Sequence, residues 1–314
     1  MRFDSYHPGI NVIFFTAAIV FAAWWDHPYF IAISWACAAA YSVLLRQKKG
    51  LAFALGTISF SFVVMLLYAW IMHFGITYLL VLPDGNHLTL EALCCGLALG
   101  FRISAVFMWL ECLLVIFSSD KVVYLLGRIS PRLSLGLSVL LRFVPLTAGF
   151  AKRISLAQAG IGQGPGQGSF AARARHAAAR ISMTINWCFE RLVQMSDSMR
   201  SRGSTLKGRT AFSLYRFDMR DRAYVIFLVA AIVICLCGCL LDQTAMQYDP
   251  ELIMNRITPL SIVFYVAYAA LLLSPLLLQL WGEARFSHQV GARFANPVQA
   301  QSADIATGRG GERA

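Results

Sequence analysis

The chain alternates long apolar stretches with short polar ones. The apolar stretches are too long and too uniform to be single faces of soluble helices. A helix that crosses the hydrocarbon core of a bilayer needs roughly 20 apolar residues. Six stretches approach or exceed that length: Ile10–Trp25, Tyr29–Leu45, Leu51–Leu82, Leu88–Phe117, Ala223–Leu241 and Pro259–Trp281. The first two are short, and Asp26-His27-Pro28 predicts a tight turn between them. The third and fourth are long enough to tilt, or one of them breaks near Gly75. Trp24, Trp25, Tyr29 and Trp281 stand at span ends, where interfacial aromatic side chains belong. The first run leads to Trp24-Trp25 and not to a small-residue cleavage site, so it predicts a retained span.

Between residues 118 and 222 the pattern changes. Ser118-Ser119-Asp120 offers N-caps for a short helix, Lys121 to Gly127. Pro131 then opens a helix that is apolar nearly all round, with Leu133, Leu135, Leu137, Val139, Leu140, Leu141, Phe143 and Val144. Pro145 predicts a kink in it, and it turns polar at Lys152 and Arg153. Such a helix is expected along the membrane underside or packed beneath the spans. Gly160, Gly162, Gly164, Pro165, Gly166 and Gly168 form a breaker. No Lys and Ser/Thr follow the last glycine and no strand precedes the run, so it reads as a flexible loop and not as a phosphate cradle. From about Ala171 to Arg202 the pattern is helical, with Ile185, Cys188, Leu192, Met195 and Met199 on one stripe. Asn186, Glu190, Arg191, Gln194 and Asp197 lie off it. That stripe fits packing on its own domain and fits a partner's groove equally well. Arg200 and Arg202 complement the negative helix end, and Gly203 suits the left-handed position just past it. The tail from about Gly291 has no apolar stripe and predicts disorder.

Composition supports the membrane reading. Of 314 residues, 58% are hydrophobic and 14% charged, against about a quarter charged in soluble domains. The net charge of +11 is concentrated, with seventeen of twenty-seven Lys and Arg between Lys121 and Arg222. A basic block between apolar regions predicts a cytoplasmic membrane-protein domain and not a nucleic-acid surface. Arg46, Lys48 and Lys49 follow the second span, while Pro83–His87 carries no Lys or Arg. Asp242, Asp249 and Glu251 outnumber Arg256 after the fifth span, and Arg285, Arg293, Arg309 and Arg313 mark the tail. These loops predict both termini and the 118–222 block inside. The eight cysteines form no C-x-x-C pair, and seven lie in apolar runs; Cys188 lies in the amphipathic segment. Reduced thiols in apolar surroundings fit a bacterial-type interior. Cys235 and Cys239 share a helix face while Cys237 points away, which argues against a metal site. His73 and His87 read as interfacial histidines. Intramembrane charge is scarce: Arg102 and Glu111 in the fourth span and Glu91 near its outer end. Arg102 and Glu111, nine positions apart, cannot pair directly, so Arg102 is expected to bond another span or to mark a subunit contact.

Several motifs in one order resemble a known family. Ser118-Ser119-Asp120-Lys121 ends a span and opens a short helix; Leu141-Arg142-Phe143-Val144-Pro145 sits in a Leu-rich helix; then come Ala157-Gln158, Met199-Arg200-Ser201-Arg202-Gly203 and Gly208-Arg209-Thr210. His7-Pro8 is a weaker element of the same kind. The chain resembles the transmembrane component of energy-coupling factor transporters, the cobalt-transport permease family, over about residues 5–225. One departure stands out: where the first signature normally carries an Arg before its Gly, this chain has Ile161 before Gly162.

The resemblance implies an all-α integral membrane protein of about six spans with a cytoplasmic domain of two long coupling helices. It sets boundaries at 1–117, 118–222, 223–285 and 286–314, in a bacterial or archaeal cytoplasmic (inner) membrane. It implies a non-catalytic subunit with no cofactor. Its partners would be two cytoplasmic ATP-binding subunits and a small substrate-binding membrane subunit that takes up a vitamin or a transition-metal ion. Arg202, Gly203, Met199, Arg200, Gln158 and Gly162 would dock the ATPases; Arg142, Phe143 and Pro145 would serve coupling and the bend. The loss of Arg at Ile161 implies an asymmetric ATPase pair, with Arg153 as a candidate substitute. The competing class is a self-sufficient six-helix secondary transporter or channel, which would need a polar midplane site or paired broken helices. A membrane-bound enzyme would need clustered His, Asp or Cys near one interface, and no such cluster stands out.

Overall fold

In chain order the elements of a computed structural model are a 3-10 turn at Phe3–Ser5, α1 (Pro8–Trp24), α2 (Pro28–Arg46), α3 (Lys48–Ile71), β1 (Tyr78–Val81), β2 (His87–Thr89), α4 (Leu90–Ile116), α5 (Ser119–Ile129), α6 (Pro131–Gly160), α7 (Phe170–Ser201), α8 (Met219–Leu240) and α9 (Pro259–Ala295). The structure describes residues 3–72, 75–81, 87–164, 169–204, 217–241 and 258–295, with single positions 166, 206, 215, 244, 246 and 248. Proline opens α1, α2, α6 and α9. Its fixed φ suits the first helical turn, where an amide hydrogen would have no acceptor within the helix. Six helices have the length and composition to cross a membrane: α2, α3, α4, α6, α8 and the Pro259–Ala284 part of α9. This is the architecture of a multi-pass membrane protein. The membership differs from the sequence reading in one place. α1 is apolar but has only 17 residues, whereas α6 has a span's length and apolarity. Apolar content and length alone do not separate a helix that crosses a bilayer from one that lies against apolar partners.

The chain divides into a unit of Met1–Phe117 with Tyr215–Ala314 and a second unit of Ser118–Leu214. In the first, the core is strongly aromatic. Phe14 and Phe15 meet Trp109 edge-on at 5.7 and 6.3 Å, and the Trp109 indole donates to Ser34 Oγ at 3.1 Å. Farther along, Trp25, Phe30, Tyr265 and Tyr268 pack together, with Trp25–Phe30 centroids 4.5 Å apart. α3 and α4 approach closely because α4 presents Gly96, Gly100 and Ser104, one helical turn apart. Ser61 and Ser104 share a hydrogen bond of 2.8 Å across this contact, and Ser104 also donates to the Thr57 carbonyl at 3.1 Å. Small residues and hydroxyl bonds at a helix contact are the usual means of association where lipid removes any hydrophobic gain.

Of the two expectations for the third span, a long tilted helix to Leu82 or a break near Gly75, the second holds: α3 ends at Ile71. Gly75 takes φ +119°, and an added Cβ there would come within 2.5 Å of Glu91 Oε2. Thr77 donates its hydroxyl to Glu91 Oε1 at 2.6 Å and its amide to both carboxylate oxygens. The strands β1 and β2 then pair antiparallel, with an irregularity between Tyr78 and Leu80. A carboxylate reaching back to the loop thus ends the helix; hydropathy carries no trace of it. Glu91, read as an intramembrane charge, is the anchor of this turn.

Both remaining intramembrane charges are partnered. Arg102 pairs with Asp26 in the α1–α2 turn. Glu111 accepts from Arg46 at 2.7 Å and from Ser42 Oγ at 2.8 Å. Arg102 therefore bonds a connecting turn and not another span. Because Arg46 is 44% exposed, the Glu111 pair is screened. Glu111→Gln is expected to lower stability by about 1 kcal/mol, measured as thermal unfolding in detergent micelles.

At the far end, α9 continues to Ala295. The boundary at 286 set by the sequence does not interrupt it, and residues 296–314 of the tail expected to be disordered lie outside the described residues, as do His73, Pro83–Asn86, Asp242, Asp249, Glu251, Arg256, Arg309 and Arg313.

Candidate functional site

The sequence-predicted site residues lie in the unit of residues 118–214. α5 leads into α6 through Ser130, and Ser134 Oγ donates to the Val123 carbonyl at 2.9 Å. α6 runs on through Pro145 as one helix. The proline supplies no amide to the Leu141 carbonyl, and Thr147 Oγ1 bonds the Val144 carbonyl at 2.8 Å. The helix is thus unbroken across the expected kink position.

α6 and α7 form an antiparallel hairpin. Phe150 stacks on Trp187 with centroids 4.0 Å apart and planes 11° from parallel. Phe143 lies on the same ring at 6.5 Å. Toward the turn, Gln158 Nε2 meets Met183 Sδ at 3.6 Å, and Arg180 Nη1 donates to the Gln163 carbonyl at 3.4 Å. The face of α7 toward α6 is thus Arg180, Met183, Trp187 and Arg191. The stripe read from the sequence is split: Met195 and Met199 are half-buried and turn toward α6. Ile185 and Leu192 of that stripe, with neighbouring Phe189 and Val193, are exposed. Trp187 and Phe150 are the residues sequence reasoning missed; a large aromatic in each of two amphipathic helices was the available signal.

No residue of α7 is buried. Leu133, Leu140, Val144 and Leu156 of α6 are exposed as well. A hairpin with so much apolar surface uncovered needs a partner or lipid against it, because contiguous exposed apolar patches are rare on surfaces that face only water.

The two helix ends are built alike. At the end of α6, Gly162 has φ +81°; its amide bonds the Ala159 carbonyl at 3.2 Å, and the Gln163 amide bonds the Gln158 carbonyl at 2.9 Å. At the end of α7, Gly203 has φ +76°; its amide bonds the Arg200 carbonyl at 2.9 Å, and the Ser204 amide bonds the Met199 carbonyl at 3.1 Å. Both are Schellman caps, in which a left-handed glycine lets the chain turn back and satisfy the last carbonyls. Gln158 and Met199 hold the same place in the two caps, as do Gly162 and Gly203. Ile161 stands at the end of α6 where Arg202 stands at the end of α7. Ile161 is 66% exposed, so one tip is apolar and the other cationic. Gly203→Ala forces an L side chain into the left-handed region and is expected to cost about 1 kcal/mol. Faster amide hydrogen exchange confined to the last turn of α7 would be its signature.

Arg142 from α6 and Arg191 and Arg202 from α7 line one groove between the helices, about 350 Å³ in volume. Phe143, Leu146, Met195 and Met199 supply its apolar walls. Arg200 and Arg153 are not among its lining residues. Gly208-Arg209-Thr210 lies outside the described residues.

No protein-family model matches the chain, and no curated protein matches it. Among the described residues no three His, Cys, Asp or Glu side chains converge as a metal site would require. Cys235 is buried, Cys237 exposed and Cys239 between the two.

Proposed function

We propose that the chain is the transmembrane coupling subunit of an energy-coupling factor ABC importer. It transmits ATP-driven motion from two cytoplasmic ATP-binding chains to a small substrate-binding membrane subunit that takes up a vitamin or a transition-metal ion. One observation carries the reading. Two long helices form a hairpin with its apolar surface uncovered, and each helix ends in the same glycine cap at one of the two signature segments.

The physical logic follows from that shape. A capped helix end fixes the backbone at the tip, and with it the direction in which the side chain leaves, so it can transmit a push. At α7 the tip is Arg202, whose planar fork pairs with carboxylates in defined geometry. At α6 it is Ile161, which suits an apolar contact. The uncovered leucines and aromatics of α6 and α7 give the membrane subunit a surface to follow when the ATPases close. The intramembrane ion pairs favour this reading over a self-sufficient transporter. Arg102 and Glu111 are engaged by Asp26 and Arg46, which leaves them with structural roles.

The test is co-purification. Expressed with the neighbouring reading frames, the chain should bring down an ATP-binding pair and a small membrane subunit, and ATP should drive uptake in vesicles. Solute movement by the chain alone in vesicles would instead establish the secondary transporter.

A further inference from the structure

We propose that the groove between α6 and α7 holds the phosphate headgroup of one anionic phospholipid. The inference stands apart from the importer reading except at Arg202, which that reading gives to the ATPase contact; Arg142 and Arg191 carry the lipid site. Arg142, Arg191 and Arg202 reach the same hollow from two helices, and no lining side chain is acidic. All three are exposed, and three like charges around one groove attract an anion. The unit supplies little internal compensation. Residues 118–214 carry Asp120, Glu190 and Asp197 against fourteen Lys and Arg, and none of the three lines the groove. Arg191 Nη1 donates to Gln194 Oε1 at 3.1 Å. Among the described residues Arg142 and Arg202 have no carboxylate partner.

Size and lining select the ligand. A helix is about 10–12 Å across, and a stable protein contact covers about 800 Å² on each side. A hollow of about 350 Å³ is instead on the scale of a small-molecule site. Its Phe143, Leu146 and Met195 walls would be left unmatched by free phosphate, whereas a phospholipid offers phosphate oxygens to the guanidinium forks and glycerol with the first methylenes to the apolar walls. α6 also has the apolarity and length of a membrane span, a surface to which acyl chains are matched.

The experiment uses the full chain in neutral detergent, with retained lipid counted by native mass spectrometry. One phosphatidylglycerol should be retained in preference to phosphatidylcholine. Each arginine near an anionic lipid contributes about fivefold, so R142Q/R191Q should weaken phosphatidylglycerol binding about thirtyfold. R153Q/R175Q, with the same loss of charge outside the groove, should leave it unchanged. If R142Q/R191Q loses helicity by circular dichroism, R142K/R191K keeps the charge, loses the forks and should bind about fivefold more weakly. Equal loss in both Gln pairs would reduce the effect to diffuse charge and overturn the site. So would glycerol phosphate binding as tightly as the lipid, or an acidic amphipathic peptide being retained where phosphatidylglycerol is not.

Discussion

In the coupling role proposed above, Arg202→Ala should cut the affinity of the chain for an ATP-binding partner by about 2–5 kcal/mol, the usual loss when one member of a buried charged contact is removed. That corresponds to between about thirtyfold and several thousandfold in dissociation constant. The change leaves the cap intact, because the Schellman bonds of α7 run through the backbones of Met199, Arg200, Gly203 and Ser204. Expression and helicity should therefore stay as they are, while the ATPase is lost from the purified complex and uptake falls. Raising salt should slow association of the unmodified protein, since the Arg202 tip is exposed and its charge is screened until the contact forms. Ile161→Ala gives the comparison. It removes a few methyl groups from the equivalent tip of α6 and should cost far less, with no change in salt response. If the Arg202 variant keeps full complex yield and full uptake, the cationic tip has no part in docking.

The second large effect is expected at Gly100. A Cβ added there would lie 2.7 Å from the Ser61 carbonyl oxygen and 2.9 Å from Ser61 Cα. Both are backbone atoms, so α3 itself must move. Gly100→Leu adds three more carbons and forces α3 from α4. It should break the Ser61–Ser104 hydrogen bond and the Ser104 bond to Thr57. Overpacking of this kind costs about 3 kcal/mol at the upper end of its ordinary range, read as thermal unfolding or protease resistance in micelles. Gly56 on α3 is the control, because an added Cβ there meets nothing within 4 Å. Gly56→Leu should leave stability nearly unchanged. Equal sensitivity at the two positions would mean that close helix approach is not what holds α3 against α4.

Much of the architecture was legible in the sequence because apolar runs and cap residues act locally. The starts of α2 and α9, the length of α7 and the left-handed glycine at its end follow from Pro28, Pro259, the helical pattern and Gly203. Other features depended on distant partners. The early stop of α3 depends on Glu91 reaching Thr77 across the hairpin. Arg102 needed the turn at Asp26 to be folded beside it. The face of α7 was read in part: Met195 and Met199 turn toward α6, but the centre of the contact is Trp187 stacked on Phe150, which the aliphatic stripe left out. The equivalence of Ile161 and Arg202 was suggested by motif alignment, and only the two sets of cap bonds put them in the same physical place.

By itself the sequence determined a chain of long apolar helices interrupted by one basic block, since hydropathy and cap chemistry are properties of neighbouring residues. Tertiary structure alone decided which charges are spent on structure, which face of α7 is covered, and that three arginines from two helices share one groove. Those outcomes depend on contacts between residues far apart in the chain, whose energies no local pattern encodes.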